Sequence, residues 1–353
     1  MNEKQNSPRI VTRSVSEEIR SLRLGRSRLR FGLLCATALL STGWPSPQRA
    51  PAAEAVKPIH TWLYYQDADT IEQLKPHADL IASVSLFGEP TREFVDRCRK
   101  LDVQTYRLVS GRPTAFDTPE HARATIDKYL KDCRKLGLDG IDLDYEGLPA
   151  KHRRAYAEFI GELSKKLHAE GKQLSICVAY TPAMQQDPAD VGFYDPRAIA
   201  ASCDLVRVMC YDKHLASSPG HGPTSTAPWA RAAMKFWLAR VPRAKLVMGM
   251  PAYSNDYDLR PGERGRQVDR PRPKVPEGRK MERSWRPFDR IHVYRYEDSA
   301  GRVRVFYASD AKSTAAHLET FQKLRLAGFG FWHHATVPSE TWQEVRKALT
   351  SEK

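Results

Sequence analysis

The sequence predicts an α/β chain: a (β/α)8 TIM barrel closed by eight parallel strands, with a small α+β insertion between strand 7 and helix 7. Three observations lead there. From Pro58 onward, short apolar runs alternate with longer amphipathic ones, as βα units around a parallel sheet require. Eight such runs can be counted, the number that closes a barrel. Between residues 252 and 308 the rhythm breaks into a stretch rich in Arg, Pro and Gly.

In order, the expected strands are IHTWLYY from Ile59, LIASVSLF from Leu80, VQTYRLVS from Val103, LDGIDLDYE from Leu138, LSICVAY from Leu174, LVRVMCYD from Leu205, KLVMGMPAY from Lys245 and GFGFWHH from Gly328. Helical stripes lie between them. Ile126, Tyr129, Cys133 and Leu136 form one, and Tyr156, Phe159, Ile160, Leu163 and Leu167 another, both at the 3.6-residue spacing of a helix face that packs on a barrel. Within the insertion, HVYRYEDSAGRVRVFY alternates apolar with polar residues around Asp298 to Gly301, which reads as a β-hairpin. Insertions on the C-terminal face of such a barrel border its functional site, because every βα loop opens there.

A chain of 353 residues, 41% of them hydrophobic, can bury a sizeable core and is neither disordered nor fibrous. The first 30 residues carry eight Lys or Arg against three Glu and lead into FGLLCATALL, too short to span a bilayer comfortably. Residues 1–55 are therefore expected to be a basic leader and secretory signal, with small residues in QRAPAAEA suited to cleavage. An uncleaved anchor is the competing reading. The expected product is a secreted, periplasmic or lumenal domain over residues 56–353, with no stable membrane insertion after cleavage.

The net charge of +14 suits attraction to an acidic surface or polymer. There is no zinc-ligand spacing, no helix-turn-helix pattern and no basic stripe interleaved with aromatics, so nucleic acid is not expected as a partner. Cys98, Cys133, Cys177, Cys203 and Cys210 are widely spaced, without a CxxC pair, and read as small buried hydrophobes; one disulfide is compatible with them but cannot be assigned.

The stretch GLDGIDLDYEG holds four acids, Asp139, Asp142, Asp144 and Glu146, in an otherwise apolar run. Side chains two apart on a strand point the same way, so Asp142, Asp144 and Glu146 share a face at spacings of roughly 6 to 7 Å, while Ile141, Leu143 and Tyr145 take the other. Packing the apolar face on helices turns the acids into the barrel, with Glu146 highest. Burying several carboxylates is costly unless some are protonated or hydrogen-bonded. Repulsion and low dielectric raise their proton affinity, which is what a general acid needs, and Glu146 at the rim is the candidate donor. Ca²⁺ or Mg²⁺ would also take oxygen ligands, but acids stacked along one strand lack the converging loop of a calcium site. His333 and His334 are neighbours on a strand and face opposite ways, so they do not share a metal ion.

DGIDLDYE resembles the DxxDxDxE signature of family 18 glycoside hydrolases, the chitinase family, and it falls on the fourth strand as that family requires. VMCYD, containing Met209, Tyr211 and Asp212, is similar to the family's sixth-strand element. KLVMGMPAYS is similar to its seventh strand, and Trp332 to its eighth-strand tryptophan. KLVMGMPAYSNDY, YEDSAGR and LRLAGFGFW point within the family to di-N-acetylchitobiase-like members.

The resemblance implies substrate-assisted retaining hydrolysis of β-1,4-linked N-acetylglucosamine glycans, an exception to the two-carboxylate scheme. Glu146 would protonate the glycosidic oxygen, and Asp144 would hold the acetamido N–H. Asp142 would share a proton or hydrogen bond with Asp144, and Tyr211 would donate to the acetamido carbonyl. Asp212 and Met209 would contact the sugar and Trp332 would floor it, with Phe87, Tyr64 and Tyr253 as further aromatics on the rim. Asp139, beside Gly140, would fix the start of the strand. The resemblance implies no cofactor and no metal, and a monomer acting on a GlcNAc-containing oligosaccharide or polysaccharide. A sugar-binding lectin on the same barrel, and an N-acetylglucosaminidase directed at peptidoglycan or N-glycans, are the alternatives.

Overall fold

A computed structural model describes residues 57–180, 192–217, 220–260 and 262–350. The expected leader lies outside the described residues. The barrel is closed by β1 (Ile59–Leu63), β2 (Ile81–Leu86), β3 (Gln104–Val109), β4 (Gly140–Leu143), β5 (Gln173–Ala179), β6 (Leu205–Met209), β7 (Leu246–Pro251) and β13 (Gly328–Trp332). Every neighbouring pair is parallel, and β13 closes onto β1 at Phe329 and Ile59. These are the eight runs expected from sequence.

The helices are α1 (Ala68–Leu74), α2 (Arg92–Lys100), α3 (Pro119–Leu136), α4 (Arg153–Ala169), α5 (Pro196–Ser202), α6 (Ala227–Leu238), α7 (Ala311–Leu324) and α8 (Ser339–Thr350). Local chemistry sets where they start and stop. Thr91, Thr118, Thr226 and Asp310 each accept a hydrogen bond from a backbone N–H of the first turn, satisfying donors the helix cannot. α3 ends on Gly137 at φ 72°, a left-handed conformation that glycine adopts without a Cβ penalty. The stripe Ile126, Tyr129 and Cys133 is buried against the barrel, as are all five apolar residues expected on α4.

Between β7 and α7 the chain forms β8 (Ser254–Asp258), β9 (Gly265–Val268), β10 (Met281–Arg286), β11 (Ile291–Glu297) and β12 (Val303–Tyr307). They make one antiparallel sheet in the order β10-β11-β12-β8-β9. The expected α+β character is therefore corrected: the described residues of the insertion hold strands and no helix. The segment alternates at period two, and prolines at 271, 273, 276 and 287 remove donors a helix would need. The hairpin is β11–β12, and Asp298 Oδ1 closes its turn by accepting from the N–H groups of Ala300 and Arg302 at 2.9 and 3.0 Å.

One face of this sheet buries Tyr257, Ile291, Val293, Val305 and Tyr307, and the other buries Tyr294, Tyr296 and Phe306. Asp256, fully buried on the second face beside Tyr296 and Phe306, accepts from Arg304 Nε and Arg266 Nη2, both at 2.9 Å, and from the Tyr296 hydroxyl. The sheet meets the loop after β6 through Asn255 Nδ2 donating to His214 O at 2.8 Å and a 2.7 Å contact between the Tyr307 hydroxyl and His221. All five cysteines among the described residues are buried free thiols.

Candidate active site

The site starts from how β4 is pinned. Asp139 Oδ2 accepts from the Thr105 N–H at 2.8 Å and the Thr105 hydroxyl at 3.2 Å, and the Asp139 carbonyl accepts from Gln173 N–H at 2.9 Å, so the start of the strand is tied to both neighbours. At Gly140 the next chain passes too close for a side chain: a Cβ there would lie 2.2 Å from the Gln173 carbonyl oxygen. At the other end, Asp144 N–H donates to Val109 O at 2.8 Å, and the ladder stops because β3 ends there.

β4 itself ends at Leu143, so only Asp142 of the three aligned acids lies within the strand. Asp144 and Glu146 stand on its extension, and the alternation continues through them. Tyr145 turns outward, 1% exposed, into a cluster of Phe116, Tyr156 and Phe159, and its hydroxyl meets that of Tyr129 at 3.0 Å. That anchor leaves Asp144 and Glu146 on the cleft side.

The cleft, about 150 Å³, is lined by Trp62, Asp144, Glu146, Cys177, Met209, Tyr211, Asp212 and Trp332. A second recess of about 270 Å³ adjoins it, sharing Glu146, Met209, Tyr211 and Asp212 and adding Tyr180 and Leu215. Glu146 thus stands where two halves of one groove meet. A larger hollow of about 400 Å³, bounded by Arg107, Lys128, Tyr129 and Tyr145, holds none of the converging acids.

Electrostatics separate the acids. Asp144 is pushed up to about 7, first by burial and then by the charges of Glu146 and Asp142. Solvent reaches part of Glu146 at the mouth, yet the walls crowd its carboxyl, so burial and then the charge of Asp212 raise its proton affinity. Asp212 is raised by burial as well, against hydrogen bonds from Tyr253 and Thr224 that favour its ionised form. Asp212 sits at φ 59°, a left-handed conformation uncommon for a residue with a side chain, while its N–H donates to Thr224 Oγ1 at 3.2 Å.

The other expected site residues fall into three groups. Tyr211, Met209 and Trp332 line the cleft, and burial holds the Tyr211 phenol well above its ordinary range. Phe87 and Tyr64 lie at the rim, 37% and 45% exposed, stacked at 5.0 Å, with Phe87 edge-on to Trp332 at 6.2 Å. Tyr253 differs from a rim aromatic: it is 2% exposed and donates its hydroxyl to Asp212 Oδ1, so it holds Asp212 instead of offering a ring face. His333 stacks on Tyr64 at 5.7 Å, whereas His334 turns inward against Trp342.

Trp62 and Cys177 line the cleft and Arg207 lies buried beneath it; from the sequence Cys177 reads only as a buried hydrophobe, and the other two are not singled out. Trp62 stands edge-on to Tyr211 and Trp332 at 6.2 and 6.3 Å. The available signal was the period of β1, which sends His60 and Trp62 to the face opposite Ile59, Thr61 and Leu63.

Acids converging at the C-terminal mouth of a (β/α)8 barrel, beside a tyrosine and two tryptophans, define the class as a glycosyl-hydrolase barrel. The chain belongs to the glycosyl hydrolases family 18, whose profile matches residues 100–336. It is 24% identical over 331 residues to human di-N-acetylchitobiase, covering 79% of this chain and 84% of that protein. It is 23% identical over 224 residues to the cortical fragment-lytic enzyme of Bacillus subtilis, covering 62% of this chain and about half, 52%, of that protein. Among solved structures, a chitinase from Chromobacterium violaceum superposes with TM-score 0.71 at 20% identity, over 83% of this chain and 99% of that one. At that identity the structural likeness shows the fold alone.

Proposed function

We propose that the chain hydrolyses β-1,4-linked N-acetylglucosamine glycans, chitin oligosaccharides first among them, by substrate-assisted retaining catalysis. One observation carries this: Asp144, Glu146, Tyr211 and Asp212 converge with Trp62 and Trp332 on one cleft. Glu146 gives its proton to the glycosidic oxygen as the C1–O bond breaks. The acetamido oxygen of the same sugar bonds to C1 and forms a cyclic oxazolinium. Asp144 accepts the acetamido N–H as positive charge develops, and Tyr211 donates to the acetamido oxygen. Water then attacks C1, Glu146 takes the proton from it, and the ring opens with net retention. Trp332 packs beneath the apolar face of the sugar. The scheme calls for no cofactor.

Export by the basic leader would bring the enzyme to such polymers. A second reading, peptidoglycan as substrate, is favoured by the relative described as a cortical fragment-lytic enzyme and by the excess of Lys and Arg over Asp and Glu that persists beyond the leader and suits an acidic wall. Incubation with reducing-end-labelled chito-oligosaccharides, N-glycans and peptidoglycan fragments separates these substrates and gives the direction of attack. Glu146→Gln is expected to lower turnover by about a thousandfold or more while ligand binding persists, because the proton is needed only as the bond breaks. Unchanged turnover in that variant would refute the assignment, and binding without turnover in the native chain would favour the lectin.

A further inference from the structure

Arg207 is fully buried inside the barrel, an unusual place for a permanent positive charge. Its position on β6 places it on the same face as Met209, pointing inward below the cleft. Its donors are satisfied by the barrel wall: Nε donates to Ser175 Oγ at 2.9 Å, Nη2 to Ser83 Oγ at 3.2 Å and Nη1 to Thr61 O at 3.4 Å. The carboxylate within reach is that of Asp142, also fully buried, with Oδ2 at 3.6 Å from Nε. The same oxygen accepts from Ser85 Oγ at 2.6 Å and lies 3.6 Å from Cys177 Sγ.

The other titratable groups at this level, below the cleft, are uncharged. His60 on β1 is lowered to about 3, by burial and then by Arg207, and so stays neutral. Tyr106 on β3 and Cys177 on β5 are raised by burial and stay protonated. Asp144 and Glu146 stand above, at the cleft. β7 and β13, reading LVMGMP and GFGFW, contain no titratable residue.

Two neighbouring buried carboxylates with no cation would resist ionising together and would hold one proton between them. Here a guanidinium offsets one of the charges. We propose that Arg207 is a positioning residue that keeps Asp142 a carboxylate, so that Asp144 can be ionised beside it when the acetamido group of the substrate becomes positive. Arg207 then does for Asp142 what a shared proton would otherwise do. This rests on the glycosidase reading above and deepens it: both aspartates are charged in the active form, Glu146 is protonated, and the proton lost by Asp144 has gone to solvent before turnover.

The test is the pH dependence of kcat/KM on a chito-oligosaccharide for the native chain, Arg207→Met and Arg207→Lys. Loss of the cation makes the aspartates easier to protonate, so in Arg207→Met the acid limb is expected to move up by about one pH unit or more, with Lys restoring most of the shift. A rate loss in Arg207→Met that is equal at every pH, or a downward shift of the acid limb, overturns the proposal. A carbon-13 titration of the aspartate carboxyls needs no turnover and tests the charge state directly. Asp142 is expected to remain ionised at pH values where Asp144 has taken a proton, and protonation of Asp142 first overturns the proposal. If no GlcNAc glycan is hydrolysed at all, the functional reading fails while this titration still decides the pair. If Arg207→Met does not fold, the double variant Arg207→Met/Asp142→Asn, which removes both buried charges, is expected to be more stable than it. A double variant no more stable than the single overturns the pairing.

Discussion

Asp144 holds its proton more tightly in the folded chain than it does unfolded, and that difference has a consequence for stability. Its ordinary value of 3.8 is pushed up to about 7 in the cleft. A carboxyl raised in the folded state leaves stability unaffected below its unfolded value; the folded state then loses stability as pH climbs from there to the folded value, and the loss levels off above it. Asp144→Asn removes the group that must be ionised against the low dielectric and its two acidic neighbours. At about 1.4 kcal/mol per unit, the variant is expected to gain up to roughly 4 kcal/mol over the native chain at pH 8, with about 2 to 3 kcal/mol of that appearing between pH 5 and pH 8. The assay is a denaturant melt of both proteins across that range, with the slope held common. A difference that stays constant with pH, or one that favours the native chain more as pH rises, would falsify the assignment of Asp144 as the strained acid. The same substitution is expected to impair hydrolysis, since the group that costs stability is the one that meets the acetamido N–H.

Two further outcomes follow from other parts of the site. In Asp212→Asn a charge that raises Glu146 is gone, so the basic limb of the kcat/KM profile is expected to move to lower pH; an unmoved or rising limb would mean that Glu146 is not the acid being titrated. Gly140→Ala places a Cβ 2.2 Å from the Gln173 carbonyl oxygen, a backbone atom that cannot turn aside, and is expected to cost roughly 3 kcal/mol or more in a urea melt; an unchanged midpoint would show that β4 and β5 can separate freely there.

Much of the fold is local in origin and therefore legible in the chain. The β4 run shows why: Ile141 and Leu143 alternate with Asp142 at period two, and only one assignment of faces puts the apolar set against α3 and α4. Helix starts are local in the same way, because Thr91, Thr118 and Thr226 cap backbone donors a few residues away, a signal not used in reading the sequence above. The insertion was only half legible. Its hairpin turn at Asp298 is a local device, but the sheet order β10-β11-β12-β8-β9 pairs β12 with β8 across more than one intervening strand, which no short pattern encodes.

By itself the sequence determined the eight-strand rhythm, the face on which Asp142, Asp144 and Glu146 stand, and the motif that carries the family. Each of these depends on spacing within one element. Tertiary structure decided what surrounds those acids. Arg207 reaches Asp142 from a strand 65 residues further on, and Trp62 closes the cleft from β1, because barrel closure brings the inward faces of distant strands to one level. Tyr253, a plausible rim aromatic in the sequence, became the hydrogen-bond donor that holds Asp212. The alternation of a strand says which way a side chain points, and only the closed barrel says what it meets there.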